Sequence, residues 1–179
     1  MSRSSITRKA SRVRLVLFDV DGVLTDGTIL VHADGAESKR FHIRDGAALV
    51  FAQRTGLLTG LMSARASEST LLRAAQLGMH IVHQGVASKL ATYESILRDR
   101  GLADEEVAYM GDDLVDLAVL ARVGLAAAPC DAAHDVRERV HWISGSPGGR
   151  GAVRELVELV LRSQGRWQDV IDGHLEARR

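Results

Sequence analysis

The sequence is poor in the features that mark several classes of protein. It has a single cysteine, Cys130, in 179 residues, which excludes an internal disulfide framework and favours a reducing compartment such as the cytoplasm. Cys130 follows Pro129 with no nucleophile–base motif nearby, so we interpret it as a packing residue. No apolar run approaches the length of a transmembrane helix, and the 46% hydrophobic content is that of an ordinary globular domain.

The chain also has no excess of charge of either sign. Lys plus Arg and Asp plus Glu both number 23, so no global basic field indicates binding to nucleic acid. Residues 1–12 are locally basic, but they lack the apolar core of a secretory signal, and we expect a flexible arm there. The length suits one domain, which we place at residues 13–165, followed by a C-terminal tail over residues 166–179.

Strand-like and helix-like segments alternate along most of the chain. A first strand begins at Leu15, and further strands are predicted at residues 57–62, 79–83, 107–110, 125–128 and 140–143. Helices are predicted at residues 46–54, 67–76, 89–100, 114–122, 131–139 and 152–163. This alternation favours an α/β fold: a three-layer, Rossmann-like parallel sheet with helices on both faces.

One short insertion interrupts the alternation. Two β-prone runs, residues 28–32 and 37–43, flank Ala33-Asp34-Gly35-Ala36 and predict a β-hairpin over about residues 28–43. No linker is long enough to separate a second domain, so a hairpin stands where a cap domain would otherwise cover a site. A neighbouring subunit is then a reasonable candidate for excluding water from that site.

The end of the first strand carries the most information about chemistry. The apolar run from Leu15 to Phe18 is followed by Asp19-Val20-Asp21-Gly22. Acids at the carboxyl ends of parallel strands lie at the ligand crevice, and strand alternation would turn Asp19 and Asp21 to the same side. Two neighbouring carboxylates need a cation or a proton, and Mg²⁺ with oxygen ligands would satisfy them. Alone, the pattern is equally compatible with a helix cap or a solvated turn.

Three further polar motifs follow predicted strands. Ser63-Ala64-Arg65 offers a hydroxyl and a guanidinium to an anion, and Lys89 begins a helix. The third motif carries three acids, Asp112, Asp113 and Asp116, of which Asp112 lies nearest the strand end and is the best candidate for a metal ligand. Each motif alone has a structural explanation, as a helix cap, a first-turn charge or a solvated side chain.

Taken in order, these motifs resemble the haloacid dehalogenase-like phosphohydrolase superfamily over residues 19–116. The resemblance implies that Asp19 is a nucleophile that forms an aspartyl-phosphate and that Asp21 is the general acid and base. It also implies that Ser63 hydrogen-bonds the transferring phosphoryl group and that Lys89 bridges this group and Asp19.

The same resemblance implies a Mg²⁺ site and a mode of assembly. The metal ligands would be the Asp19 carboxylate, the Asp21 backbone carbonyl and the Asp112 carboxylate, with Asp113 and Asp116 in supporting positions. The small hairpin resembles the minimal-cap branch of the superfamily, in which hairpins help to assemble a homotetramer. Neither nucleic acid nor a membrane is expected as a partner.

Nearly the whole chain resembles the members of this branch that dephosphorylate 3-deoxy-D-manno-octulosonate 8-phosphate, a sugar acid of lipopolysaccharide. The matching stretches are residues 18–27, 42–46, 84–89, 111–116 and 148–155. The resemblance implies substrate contacts from His42, Ile43, Arg44, Asp45, Gly46, Arg65, Arg73, Lys89 and Arg150. It further implies that residues 148–150 and the tail reach a neighbouring subunit's active site.

Two positions depart from that pattern. Ser63-Ala64-Arg65 replaces the usual Thr-Gly-Arg, and because serine keeps the hydroxyl we expect the chemistry to survive. Val50 stands where an arginine is expected, which leaves open a phosphatase for nine-carbon, sialic-acid-type 9-phosphates. A phosphate-sensing, receiver-like module is the non-enzyme alternative, but receivers place tandem acids after the first strand, where this chain has Asp-x-Asp-Gly.

Overall fold

A six-stranded parallel sheet lies at the centre of the fold. The computed structural model describes residues 3–176. Its strands are β1 (Leu15–Phe18), β2 (Leu30–Val31), β3 (Glu37–Ser38), β4 (Leu58–Ser63), β5 (Ile81–Gln84), β6 (Val107–Met110), β7 (Leu125–Ala128) and β8 (Trp142–Ile143). β2 and β3 form an antiparallel hairpin, and the other strands pair in parallel in the order β5-β4-β1-β6-β7-β8. Parallel neighbours require crossover connections, which the helices supply.

Helices cover both faces of the sheet. They are α1 (Arg3–Ala10), α2 (Ile43–Arg54), α3 (Glu68–Gln76), α4 (Lys89–Arg100), α5 (Leu117–Leu120), α6 (His134–Arg137), α7 (Ala152–Ser163) and α8 (Trp167–Glu176). Within residues 3–176, no helix is both long enough and apolar enough to cross a bilayer.

The alternation of side chains along β1 divides the core into two layers. Val16 and Phe18 pack with α1, α2 and α7 on one face, whereas Leu15 and Leu17 pack with α4 and α5 on the other. All four side chains are fully buried, and burial of such a side chain contributes about 1.5–3 kcal/mol. The predicted three-layer α/β fold is therefore confirmed.

The position of β1 in the middle of the sheet determines where the polar motifs meet. Phe18 pairs in register with Leu61 of β4 and with Met110 of β6. Because the three strands are parallel, their carboxyl ends lie side by side at one edge of the sheet. Asp19, the end of β4 at Ser63, and the acidic segment after Met110 are thereby brought to the same edge.

The prediction of a flexible arm over residues 1–12 is wrong for residues 3–10, which form α1. This helix packs against α7, with Ala10 fully buried and Ile6 against the core. Lys9 Nζ also donates a hydrogen bond to the carbonyl oxygen of Gly124 at 2.9 Å. The basic residues suggested a solvated segment, but the few apolar side chains between them find a partner on α7. Residues 1–2 lie outside the described residues.

The hairpin is shorter than predicted. Its strands pair over two residues each, and its second arm ends at Ser38. Ile43, which the sequence assigned to that arm, instead begins α2, three residues before the predicted start of the helix. The β-branched side chain favours a strand only weakly, and the helix that follows determines its conformation.

The segment after β6 is also less regular than predicted. In place of one helix over residues 114–122, a 3₁₀ turn over Leu114–Asp116 precedes the short helix α5. The turn forms because the Asp116 carboxylate turns back to accept hydrogen bonds from the amides of Asp112 and Asp113. The helix predicted at residues 131–139 is likewise reduced to α6.

The C-terminal tail returns to its own domain over α8. Trp167, at the start of this helix, is buried and lies edge-on to Phe51, with ring centroids 6.4 Å apart. The guanidinium groups of Arg154 and Arg162 lie 4.9 and 5.0 Å from the Trp167 ring centroid. α8 therefore packs on its own domain through Trp167, and contact of the tail with a neighbouring subunit stays a prediction; residues 177–179 lie outside the described residues.

Replacement of Trp167 by alanine should lower the free energy of unfolding by about 3 kcal/mol, because a buried aromatic ring and its two cation–π partners are lost. Urea denaturation followed by circular dichroism would measure this change. Leu175→Ala is the matched control, since Leu175 lies on the same helix and is 62% exposed. We expect that variant to change stability by less than about 0.5 kcal/mol. Equal losses in both variants would contradict the anchoring of α8 by Trp167.

Candidate active site

A buried lysine lies between two buried aspartates at the carboxyl edge of the sheet. Lys89 begins α4, where Ser88 caps the helix by accepting a hydrogen bond from the Ala91 amide. Lys89 Nζ lies 2.8 Å from Asp19 Oδ1 and 2.6 Å from Asp116 Oδ1. Burial alone would lower the pKa of Lys89, but the two carboxylates outweigh burial and raise it. The lysine is therefore charged, as a buried pair of acids requires.

Asp116 holds this lysine, and both of its carboxylate oxygens accept hydrogen bonds. Its Oδ1 accepts hydrogen bonds from Lys89 and from the Tyr109 hydroxyl, at 2.6 and 2.5 Å. Its Oδ2 accepts from the backbone amides of Asp112 and Asp113, at 3.0 and 3.2 Å. Asp116 is fully buried, and four donors compensate it. This arrangement agrees with the supporting position that the resemblance implies.

Tyr109 is a member of the site that sequence reasoning missed. Its side chain is fully buried, and burial together with the nearby Asp116 carboxylate raises the pKa of its hydroxyl well above the usual value. The hydroxyl therefore stays protonated and donates to Asp116. The one available signal was a polar hydroxyl inside the otherwise apolar strand β6.

Three carboxylates come together in a way that suits a divalent cation. One oxygen each of Asp19, Asp112 and Asp116 lie within 4.8 Å of one another. Asp112 Oδ1 is buried and has no hydrogen-bond partner among the described residues. Burial, followed by the charges of Asp19 and Asp116, raises the pKa of Asp112 to about 8. Burial, followed by Asp116, raises the pKa of Asp19 to about 6.

These observations fit Mg²⁺. Because both oxygens of Asp116 are engaged, the free lone pairs belong to Asp19 and Asp112, the two carboxylates that the resemblance implies as ligands. A hard cation would accept the orphaned oxygen of Asp112 and remove the repulsion that raises its pKa. Gly22 makes room for this carboxylate, since its φ is +91° and a Cβ there would overlap Asp112.

Asp21 does not join this cluster. β1 ends at Phe18, so strand alternation does not extend to Asp21, and the following turn gives its carboxylate separate partners. Asp21 Oδ1 accepts a hydrogen bond from Lys39 Nζ at 2.6 Å, and Oδ2 lies 3.9 Å from Arg65 Nε. Strand alternation predicted that the carboxylates of Asp19 and Asp21 would lie side by side. Instead, Asp19 pairs with Lys89 and Asp21 pairs with Lys39.

Lys39 is a second member of the site that sequence reasoning missed. It follows directly after β3 on a hairpin whose residues are mostly exposed, so its sequence position indicates a solvated lysine. Its side chain is nevertheless 1% exposed. No local pattern in the sequence could have identified it, because only the packing of the hairpin against the first strand end buries it.

Ser63 and Arg65 lie where the sequence predicts. Ser63 ends β4, next to β1, and is buried, with its hydroxyl accepting a hydrogen bond from the Arg65 amide at 3.2 Å. The Arg65 side chain is about half exposed, and its guanidinium donates to Glu37 Oε1 at 2.8 Å. The guanidinium is thus available to solvent while the hairpin holds one of its nitrogens.

Residues 42–46, predicted to contact substrate, divide into exposed and buried positions at the start of α2. Ile43 and Arg44 are exposed, and His42 occupies the N-cap position with Nδ1 3.5 Å from Asp45 Oδ2. Gly46 is buried, and a Cβ there would overlap the guanidinium of Arg73. Ile43 and Arg44 are therefore accessible to a ligand. Gly46 has no side chain and so leaves space for the Arg73 guanidinium beside α2.

Asp45, another predicted substrate contact, has a structural role at the start of α7. It is 2% exposed, and its two oxygens accept hydrogen bonds from the backbone amides of Gly151 and Arg154, at 3.1 and 2.8 Å. Burial raises the pKa of this carboxyl, although the two amide donors oppose the increase. Asp45 therefore anchors the start of α7 to α2, with both of its oxygens engaged by backbone amides.

The glycines before α7 pack against their own chain. A Cβ at Gly148 would overlap the carbonyl of Gly22, and a Cβ at Gly149, whose φ is +61°, would overlap the backbone of Thr25. The Gly149 amide also donates to Val23 O at 2.9 Å. Within one chain, these two glycines pack on the turn after β1, and contact of residues 148–150 with a neighbouring subunit stays a prediction. The Arg150 side chain, by contrast, is 61% exposed.

The parallel sheet, the buried lysine between two aspartates and the orphaned carboxylate oxygen together define a class of protein. A family model described as haloacid dehalogenase-like hydrolase matches residues 54–156. The chain belongs to this family, as the resemblance in its motifs predicts.

Three individual relatives match the chain along most of its length. The chain is 37% identical over 163 residues to 3-deoxy-D-manno-octulosonate 8-phosphate phosphatase KdsC of Escherichia coli K12, covering 91% of this chain and 87% of that protein. A probable YrbI family phosphatase of Pseudomonas syringae has a TM-score of 0.94 and 39% identity, covering 96% and 98% of the two chains. A Moraxella catarrhalis 3-deoxy-D-manno-octulosonate 8-phosphate phosphatase, solved with magnesium, phosphate and KDO, has a TM-score of 0.94 and 31% identity, covering 97% and 99%.

The raised pKa of Asp112 predicts how stability depends on pH. Because its pKa in the folded protein, about 8, exceeds the ordinary value of 3.8, its contribution to stability is present at low pH and is lost between about pH 4 and pH 8. Without divalent cations, Asp112→Asn should therefore raise Tm at pH 8, on the order of several degrees, and much less near pH 4. Thermal unfolding in EDTA across this range measures the difference.

Mg²⁺ should raise the Tm of the unaltered protein and should leave that of Asp112→Asn nearly unchanged, because a ligand is lost. Asp135→Asn is the control, since this side chain is 59% exposed and pairs only with Arg139 and its own helix. That variant should keep the full response to Mg²⁺. A full response in Asp112→Asn would contradict the assignment of Asp112 as a ligand.

Proposed function

We propose that this chain is a Mg²⁺-dependent phosphomonoesterase that hydrolyses 3-deoxy-D-manno-octulosonate 8-phosphate to the free sugar acid and phosphate. The observation that carries the proposal is the buried Asp19–Lys89 pair beside the unpartnered oxygen of Asp112. Its substrate is supported by the 37% identity to KdsC of Escherichia coli across 91% of this chain. The reaction would supply the sugar acid for lipopolysaccharide precursors.

Asp19 is the proposed nucleophile. Its Oδ1 is held by Lys89, and attack by the carboxylate on phosphorus forms the aspartyl-phosphate while the bond to the sugar oxygen breaks. Asp21 gives its proton to that oxygen, then takes a proton from the water that attacks the aspartyl-phosphate. Phosphate leaves as the bond to Asp19 breaks, and both side chains return to their first state.

The other groups stabilise charge on the phosphoryl oxygens. Lys89 contributes its ammonium, and the hydroxyl of Ser63 contributes a hydrogen bond. Mg²⁺, held by Asp19, the Asp21 backbone carbonyl and Asp112, would supply the remaining positive charge. Asp113 and Asp116 support the site, and the burial of Asp116 against four donors keeps Lys89 in place.

The carboxylate of the sugar acid requires cations outside the phosphate site. We assign its recognition to the exposed or half-buried members of the predicted substrate-binding set, which are His42, Ile43, Arg44, Arg65, Arg73 and Arg150. Arg73 Nε is buried without a hydrogen-bond partner among the described residues, which suits a site completed by a bound anion. On α2, Val50 stands where the resemblance leads us to expect an arginine. Because one anion contact is missing there, the nine-carbon, sialic-acid-type 9-phosphates are the second candidate substrates.

The proposal is tested by phosphate release with Mg²⁺ across a panel of esters: the octulosonate 8-phosphate, a sialic-acid-type 9-phosphate and simple sugar phosphates. We expect the eight-carbon acid to give the highest kcat/KM. Asp19→Asn should lower turnover by roughly 10³-fold or more while retaining the fold, because the nucleophile is lost. Hydrolysis retained in that variant would overturn the role of Asp19. Absence of hydrolysis of every ester by the unaltered protein would favour the phosphate-sensing alternative.

We also propose a homotetramer assembled through the hairpin, in the cytoplasm, where the single Cys130 would stay reduced. The hairpin exposes Leu30 and Val31, at 53% and 72%, although apolar side chains of this size favour burial. Light scattering after gel filtration should give about four times 19.4 kDa, and Val31→Asp should reduce this mass. Leu175→Asp, on α8, should leave the mass unchanged. A monomer in the unaltered protein would contradict the proposal.

A further inference from the structure

The hairpin carries a lysine that is more completely buried than its surroundings. The Lys39 side chain is 1% exposed, whereas Leu30 and Val31 on the opposite strand are more than half exposed. A buried ammonium is costly unless a carboxylate and hydrogen bonds compensate it. Among the described residues, the partner of Lys39 Nζ is Asp21 Oδ1, at 2.6 Å. The buried ammonium of Lys39 is therefore compensated by one carboxylate, that of Asp21.

The two oxygens of Asp21 are not equivalent. Oδ1 accepts the short, charge-assisted hydrogen bond from Lys39, while the nearest cation to Oδ2 is Arg65 Nε at 3.9 Å, beyond hydrogen-bond distance. Among the described residues, Oδ2 is therefore the oxygen of Asp21 with no donor within hydrogen-bond distance. Arg65 is itself held at a distance by Glu37 of the same hairpin, which accepts from its guanidinium at 2.8 Å.

We propose that Lys39 is the positioning residue for Asp21: it holds one carboxylate oxygen so that the other exchanges the proton with the substrate. In the first step, the proton on Oδ2 passes to the sugar oxygen as the P–O bond to the sugar breaks and the Asp19–phosphorus bond forms. In the second step, a proton of the attacking water returns to Oδ2 as the water oxygen bonds to phosphorus and the Asp19–phosphorus bond breaks. The inference rests on the proposed phosphatase function.

The consequence is that the hairpin takes part in the reaction through its geometry. A carboxyl group free to rotate would present its proton in the productive direction only part of the time, and misplacement by about 1 Å can cost roughly 10²-fold in rate. Lys39 removes this freedom because its own side chain is enclosed. A purely structural ion pair would hold the hairpin equally well but would affect all substrates alike.

The first test compares leaving groups in Lys39→Met. The measured quantity is kcat/KM, which reports the step that forms the aspartyl-phosphate, for phenyl phosphate and for 2,4-dinitrophenyl phosphate. Phenolate needs a proton from Asp21, whereas dinitrophenolate leaves without one. We expect kcat/KM to fall by roughly 10²-fold for the phenyl ester and by less than about 3-fold for the dinitrophenyl ester. Lys9→Met is the matched control, and both values should remain unchanged there, because Lys9 only binds the Gly124 carbonyl.

The second test is a double-mutant cycle that does not depend on the folding of Lys39→Met. Asp21→Asn and Asp21→Asn/Lys39→Met are compared, and the double variant removes both buried charges together, which favours folding. If Lys39 acts through Asp21, its substitution should change kcat/KM for the phenyl ester by less than about 3-fold in the Asp21→Asn background. A further loss of 10-fold or more would overturn the proposal.

The outcomes separate this inference from the proposed function. Equal losses for the two aryl esters in Lys39→Met, or no loss for either, would overturn the positioning role while leaving the phosphatase assignment intact. Absence of hydrolysis by the unaltered protein would instead overturn the proposed function itself.

Discussion

The buried ammonium of Lys89 is the interaction on which the site depends. Asp19 and Asp116 both lie inside the protein, and two buried carboxylates at this distance repel each other unless a cation lies between them. Lys89 provides that charge from the first residue of α4, and Asp116 holds it with the help of Tyr109 and two backbone amides. One oxygen of Asp19 lies within 4.8 Å of an oxygen of Asp112, and Asp112 Oδ1 has no hydrogen-bond partner among the described residues.

The two acids after β1 pair with different lysines: Asp19 with Lys89 and Asp21 with Lys39. The chain has three lysines, and two of them, Lys39 and Lys89, have side chains that are nearly fully buried. Lysine is almost never buried without a partner, so each of these side chains requires its aspartate as much as the aspartate requires it. Asp19 meets a cation of the main domain and Asp21 meets one from the hairpin. The proposed nucleophile and the proposed acid–base are thus held by different parts of the fold.

Glycines allow the backbone to close around these charges. Gly22 leaves space for the Asp112 carboxylate, and Gly148 packs directly on the Gly22 carbonyl, so a loop far along the chain covers the turn that carries the acids. Asp45 holds the other end of that loop through the amides of Gly151 and Arg154. The loop can lie this close to the turn because neither Gly22 nor Gly148 has a side chain at the point of contact.

The sequence by itself determined the order of strands and helices from β1 to α7, the sheet edge that carries the polar motifs, and the acids and lysine at its centre. It could do so because hydrophobic periodicity and strand-end acids are local patterns. Only the tertiary structure decided the role of α1, the burial of Lys39, the donation by Tyr109 and the anchoring by Asp45. Each of these depends on a contact between residues far apart in the chain, and the physical reason is that burial, not residue type, determines whether a charge is solvated or must be paired.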